Sequence, residues 1–160
     1  MKVSRDHPAT TEFALQAGKL IQNFGVVELT SYRWIDFLSG SPIATEISKE
    51  LSLSKRVEII LRLIPHCRTL EADSLSKAAN LWKKIKEEGL ERRNTVAHGT
   101  VSLALTAADS TLAPETIGIL KHRKWQDSDQ LMGLDELKNA VNVTAAIANE
   151  LNALLPPSDV

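Results

Sequence analysis

The sequence predicts a mainly α-helical protein: a helical bundle of about five helices with a small β-hairpin inserted before the last. Two observations lead there. Apolar residues recur every three or four positions over most of the chain, and the period shortens to two in one stretch between Gly99 and Asp135. At 160 residues with 43% hydrophobic side chains, the chain has the size and apolar content of one domain, expected over residues 11–155. Residues 1–10 and 156–160 are expected to be flexible ends.

The first helix is read from Phe13, Ala17, Leu20, Phe24, Val27, Ile35 and Leu38, with Gly25 as a point where it can bend. Ser41-Pro42 reads as an N-cap followed by a first-turn proline, and Ile43, Ile47 and Leu51 follow it in a short second helix. Ser54 is the expected cap of a third helix, whose stripe Val57, Ile60, Leu61 and Ile64 stops near Pro65. A fourth helix starts near Ser74 and carries Leu75, Ala78, Ala79, Trp82, Ile85, Leu90, Val96 and Ala97 to a stop at Gly99. Val101, Leu103 and Leu105 then alternate with small polar residues, and Ile117 and Ile119 do so after a proline-containing loop, which gives the hairpin. Asp135 is the expected cap of the last helix, with Leu137, Val141, Ala145, Ala148 and Leu151 or Leu154 on its buried face.

Several classes of function find no support. A net charge of −1 gives no global clamp for nucleic acid, so any RNA contact has to come from a local patch. The single cysteine, Cys67, excludes an internal disulfide and a cysteine-rich zinc site, and it favours a reducing, cytoplasmic setting. The N-terminus lacks the apolar core of a signal peptide, and no run approaches the ~20 apolar residues of a membrane span. There is no P-loop, no dinucleotide glycine fingerprint and no HExxH, so no metal or cofactor is expected.

The chemistry concentrates at the end of the fourth helix, in ERRNTVAHG, residues 91–99. At 100° per residue Arg93 lies five whole turns after Leu75 and points along the apolar stripe. A guanidinium there needs a partner, and Glu28, flanking the stripe of the first helix, is the candidate carboxylate. The competing expectation is that Arg93 snorkels past Leu90 and Ala97 to the surface. Asn94 and His98, four apart, share a face. An imidazole titrates near neutral pH, while Arg93 and Asn94 supply hydrogen bonds to an anionic oxygen, which are the parts of an acid/base site acting on a phosphate. The plainer account is that His98 belongs to the helix C-cap beside Gly99.

The combination Arg93-Asn94-x-x-x-His98-Gly99, late in a helix of a helical domain, resembles the HEPN family, the "higher eukaryotes and prokaryotes nucleotide-binding" domains. The long first helix with its internal Glu28, the short second helix and the closing helix fit that layout as well. The resemblance implies a metal-independent endoribonuclease that works as a homodimer, with RNA as substrate and, for a toxin or phage-defence component, an antitoxin protein as partner. His98 would then be the acid/base group, Arg93 would stabilise phosphorane charge, and Asn94 would orient them. Counting from Arg92 also satisfies the pattern, but only Arg93 falls mid-stripe. The alternative from a different class is a noncatalytic dimeric interaction module in which Arg93 pairs with Glu28 for structural reasons.

Lys121-His122-Arg123-Lys124-Trp125 is a basic run with an aromatic beside it, suited to tracking an RNA backbone with Trp125 stacked on a base, or else to guarding a hairpin edge. Lys83, Lys84 and Lys86 with Glu87, Glu88 and Glu91 read as a solvated helix face. Trp34 and Trp82 are expected in the core.

Overall fold

Helix α1 runs from Pro8 to Ser39 and buries Phe13, Gln16, Leu20, Phe24, Val27, Ser31, Trp34 and Ile35, the three-and-four spacing that its sequence announces. The computed structural model describes the backbone of residues 8–98, 100–108, 111–120 and 131–157, and the side chains of 11–97 and 132–157. The order of elements is α1, α2 (Pro42–Ser48), α3 (Leu53–Leu63), a single 3₁₀ turn (Ile64–His66), α4 (Ala72–Lys84), a π turn (Ile85–Gly89), α5 (Leu90–His98), β1 (Thr100–Ala108), β2 (Thr111–Leu120), β3 (Leu131–Gly133) and α6 (Leu134–Ala153). The protein is mainly α-helical. Residues 8–10, expected in the flexible N-terminal segment, already belong to α1, whose first residue is a proline suited to a helix start.

Contacts divide the expected single domain into two compact units, each assembled from separate stretches: 1–22 with 91–143, and 23–90 with 144–160. The second is a helical bundle. Its centre is Trp34 of α1 against Trp82 of α4, both fully buried, with ring centroids 6.5 Å apart and planes at 83°. The Trp34 indole N–H donates to the Leu151 carbonyl of α6 at 3.1 Å, which secures the end of the last helix to α1. Buried hydroxyls on α1 are satisfied locally, Thr30 donating to the Val26 carbonyl and Ser31 to that of Glu28.

The corner after α1 follows from its sequence. Gly40 takes a left-handed φ of +57° and its N–H closes on the Asp36 carbonyl at 2.8 Å, ending the helix. Ser41 Oγ then accepts from the Ala44 N–H at 3.4 Å with Pro42 in the first turn of α2, as expected. The apolar positions Ile43 and Ile47 of α2 are nonetheless exposed. The cap of α3 is Ser52 rather than Ser54: Ser52 Oγ accepts from the Lys55 N–H at 3.4 Å, and starting two residues earlier lets Leu53 join the buried face. The fourth helix starts at Ala72, two residues before Ser74. Asp135 is not a cap but a first-turn residue of α6, where a carboxylate complements the helix dipole.

Glu58 of α3 receives hydrogen bonds from Lys86 and Lys55, which hold its carboxyl below the usual carboxylate range. A lowered folded-state value means that the charged carboxylate stabilises the fold at neutral pH and that this contribution disappears as the group is protonated. The stability difference between wild type and Glu58→Gln is therefore expected to be fully present at pH 7 and to close as pH falls below the ordinary value of 4.5 and through the lowered one. Urea unfolding of both proteins across pH 3–7 reads it directly. In the other unit, the hydrogen bond from Gln16 and the charge of Lys138 act on Glu12 in the same direction.

The three strands form an antiparallel sheet in the order β1-β2-β3. The register sets Val101 opposite Ile119 and Leu103 opposite Ile117, the residues whose alternation marks the hairpin. Pro114, expected in a loop, lies within β2 instead. The register slips by one between Ala104/Thr116 and Thr106/Ala113, so Pro114 and Glu115 together oppose Leu105. A bulge is where a strand tolerates a residue without an N–H to give the ladder.

Candidate functional site

The helix that begins at Ala72 does not run as one α-helix to the polar cluster. At Ile85–Gly89 the Leu90 N–H donates to the Ile85 carbonyl, five residues back, and α5 continues from there to His98. A π turn absorbs about one extra residue, so the five-turn count that aligns Arg93 with Leu75 is late by about 100°. Arg93 is half-buried rather than sealed in the core, and among the described residues of α5 the buried one is Thr95, whose hydroxyl donates to the Glu91 carbonyl at 3.0 Å.

The Arg93 guanidinium donates through Nη1 to Oδ1 of its neighbour Asn94 at 3.2 Å, and Asn94 is exposed. His98 is the last residue of α5, one turn beyond Asn94 along the backbone; its side chain lies outside the described residues. Arg92 is half-buried beside them. The structure thus brings Arg93 and Asn94 into contact and places His98 on the same short helix. The run Lys121, Arg123, Lys124 and Trp125 lies outside the described residues.

Glu28 is held by an arginine that the apolar periodicity alone does not single out. Arg56 of α3 is only 3% exposed. Its Nε donates to Ser31 Oγ at 2.8 Å, its Nη1 to the Tyr32 hydroxyl at 2.9 Å and to the Leu51 carbonyl, and its Nη2 lies 3.9 Å from Glu28 Oε2. The guanidinium carbon sits 4.3 Å from the centre of the Tyr32 ring. Glu28, expected as the carboxylate for Arg93, has Arg56 as its ion-pair partner within the helical bundle. A signal for it exists in the sequence: Arg56 falls between Leu53, Val57 and Ile60 on the buried face of α3, while Glu28, Ser31 and Tyr32 occupy one face of α1 at spacings of three and four.

A half-buried guanidinium directed by a neutral amide presents donors suited to an anionic oxygen. Among the described residues no group of three histidine, cysteine or carboxylate side chains gathers to hold a metal ion, and no helix is long and apolar enough to cross a membrane. No family model, curated protein or solved structure matches the chain.

Proposed function

We propose that the protein is a metal-independent endoribonuclease of the HEPN type, acting as a cytoplasmic homodimer and serving as a toxin or phage-defence component restrained by an antitoxin protein. The observation that carries this is the state of Arg93. Its guanidinium is half-buried and bonded to the neutral Asn94. A guanidinium directed by a neutral side-chain amide leaves its remaining donors for a phosphate oxygen.

In this mechanism His98 takes the proton of a ribose 2′-hydroxyl as that oxygen attacks the adjacent phosphorus. The bond to the 5′-oxygen breaks and that oxygen takes up the proton the imidazole gained, leaving a 2′,3′-cyclic phosphate and a 5′-hydroxyl. Arg93 stabilises the charge that accumulates on the phosphorane oxygens, and Asn94 fixes the direction of the guanidinium. DNA lacks the nucleophile and is not cut.

The test is cleavage of single-stranded RNA in EDTA by wild type, His98→Ala and Arg93→Ala, with a DNA of the same sequence as control. Cleavage of RNA alone, with cyclic-phosphate ends and loss in both folded variants, is the expected result. An inactive wild type on a panel of RNAs, or activity that survives in His98→Ala, overturns it.

A further inference from the structure

An arginine side chain donates hydrogen bonds and accepts none, because each nitrogen of its guanidinium carries hydrogen and shares the positive charge. The bond from Arg93 Nη1 therefore fixes which end of the Asn94 amide faces the guanidinium: it is Oδ1, at 3.2 Å. The other end, Nδ2 with its two N–H groups, is turned away from that contact. Asn94 is exposed, and among the described residues no acceptor takes a hydrogen bond from Nδ2. The pair thus offers donors from two side chains, the guanidinium N–H groups that do not meet Oδ1 and the N–H groups of the amide.

The rest of α5 does not favour an anion. Asn94 stands in its second half, towards the end where a helix backbone offers carbonyls rather than N–H groups. Glu91, three residues earlier and exposed, brings a carboxylate to the same side. An anion on this face has to be held by side-chain donors. An aspartate at position 94 would direct Arg93 at least as well as asparagine, but it would meet the anion with a like charge and no N–H.

We infer that Asn94 is itself a phosphate ligand: Oδ1 directs the Arg93 guanidinium, and Nδ2 donates together with it to the non-bridging oxygens of the RNA phosphate. The identity of that phosphate rests on the ribonuclease proposal, whereas the anion subsite is a property of the two side chains and is measured without RNA. A contact of this kind reads the backbone and is blind to the base.

The experiment titrates ¹⁵N-labelled protein with inorganic phosphate, against sodium chloride of equal ionic strength, and follows the Asn94 Nδ2 and Arg93 Nε signals by NMR. The Asn94 signals are assigned by their absence from Asn94→Ala. Both groups are expected to shift along one saturating curve with a dissociation constant of about 1 mM, the Asn94 protons moving downfield as an anionic oxygen draws them. Asn94→Ala is expected to weaken phosphate binding about tenfold, and Asn94→Asp at least as much. Because Asn94 is exposed, both variants are expected to unfold in urea as the wild type does.

Arg93 Nε signals that shift while those of Asn94 stay in place overturn the inference, since the amide then only directs its neighbour. So does an Asn94→Asp protein that binds phosphate as tightly as wild type, or the absence of any saturable shift. Saturation of the same signals by guanosine and not by phosphate assigns the donors to a base edge and overturns it as well. RNA cleavage in EDTA separates the two proposals. A wild type that binds phosphate through Asn94 and cuts no RNA defeats the ribonuclease proposal and leaves the anion subsite standing; one that cuts RNA with an unmoved Asn94 amide defeats this inference alone.

Discussion

Arg56→Ala is expected to lower stability by about 3 kcal/mol, and the Tm by about 6–12 °C in thermal unfolding followed by circular dichroism. The truncation removes three donated hydrogen bonds at once, to Ser31, Tyr32 and the Leu51 carbonyl, from a side chain that is 3% exposed. Two hydroxyls and a carbonyl lose their donor, and a cavity opens where the guanidinium lay over Tyr32. The ion pair is the smaller part. Glu28 is 42% exposed and 3.9 Å away, so solvent screens it, and Glu28→Gln is expected to cost under about 1 kcal/mol. Arg56→Lys does not restore the loss, because one ammonium on a flexible stem does not reproduce the fork that meets three acceptors. An Arg56→Ala protein within about 1 kcal/mol of wild type would show that this node does not hold α3 to α1.

The second large effect lies in activity and leaves stability alone. Arg93→Ala is expected to slow RNA cleavage by about 10²–10³-fold, the range found when one donor to a developing oxyanion is removed. His98→Ala is expected to cost about 10²–10⁴-fold, as for loss of a general acid or base. Arg93 is half-buried and its hydrogen bond is to an exposed asparagine, so its truncation is expected to change folding stability by less than about 1 kcal/mol. Initial rates in EDTA together with urea unfolding separate the two effects. A large loss of stability in Arg93→Ala would return that residue to a structural role, the opposite pattern to the one expected of Arg56.

The legible elements are those in which one local rule acts without competition. The apolar spacing of α1 and the Ser41-Pro42 start of α2 depend on nothing beyond a few neighbouring residues. Ser54 resembles a cap because it precedes the charged Lys55, whereas the hydroxyl that meets a backbone N–H three residues on is that of Ser52. Pro114 reads as a loop residue because a proline breaks a ladder, and the bulge that accommodates it depends on the facing strand. The π turn is illegible to any count that assumes a constant rotation per residue, so the phase of Arg93 is lost to that count while its place in sequence is not. Arg56 is hidden for a different reason: a stripe read for its apolar members passes over a cation set among them, and the partner of Glu28 sits on α3, far in sequence from the polar cluster.

The two buried tryptophans give the second unit an intrinsic optical signal. Their indoles stand nearly perpendicular at 6.5 Å, close enough for their transitions to couple, and they differ in one respect: Trp34 has a carbonyl acceptor on α6, whereas the Trp82 N–H has none among the described residues. Near-ultraviolet dichroism from this pair is therefore sensitive to the distance between α1 and α4, and the emission of Trp34 to whether the last turn of α6 is seated. With Trp125 replaced by phenylalanine, these two indoles become the sole tryptophan chromophores, and undocking of the closing helix is observable by light before the rest of the bundle unfolds.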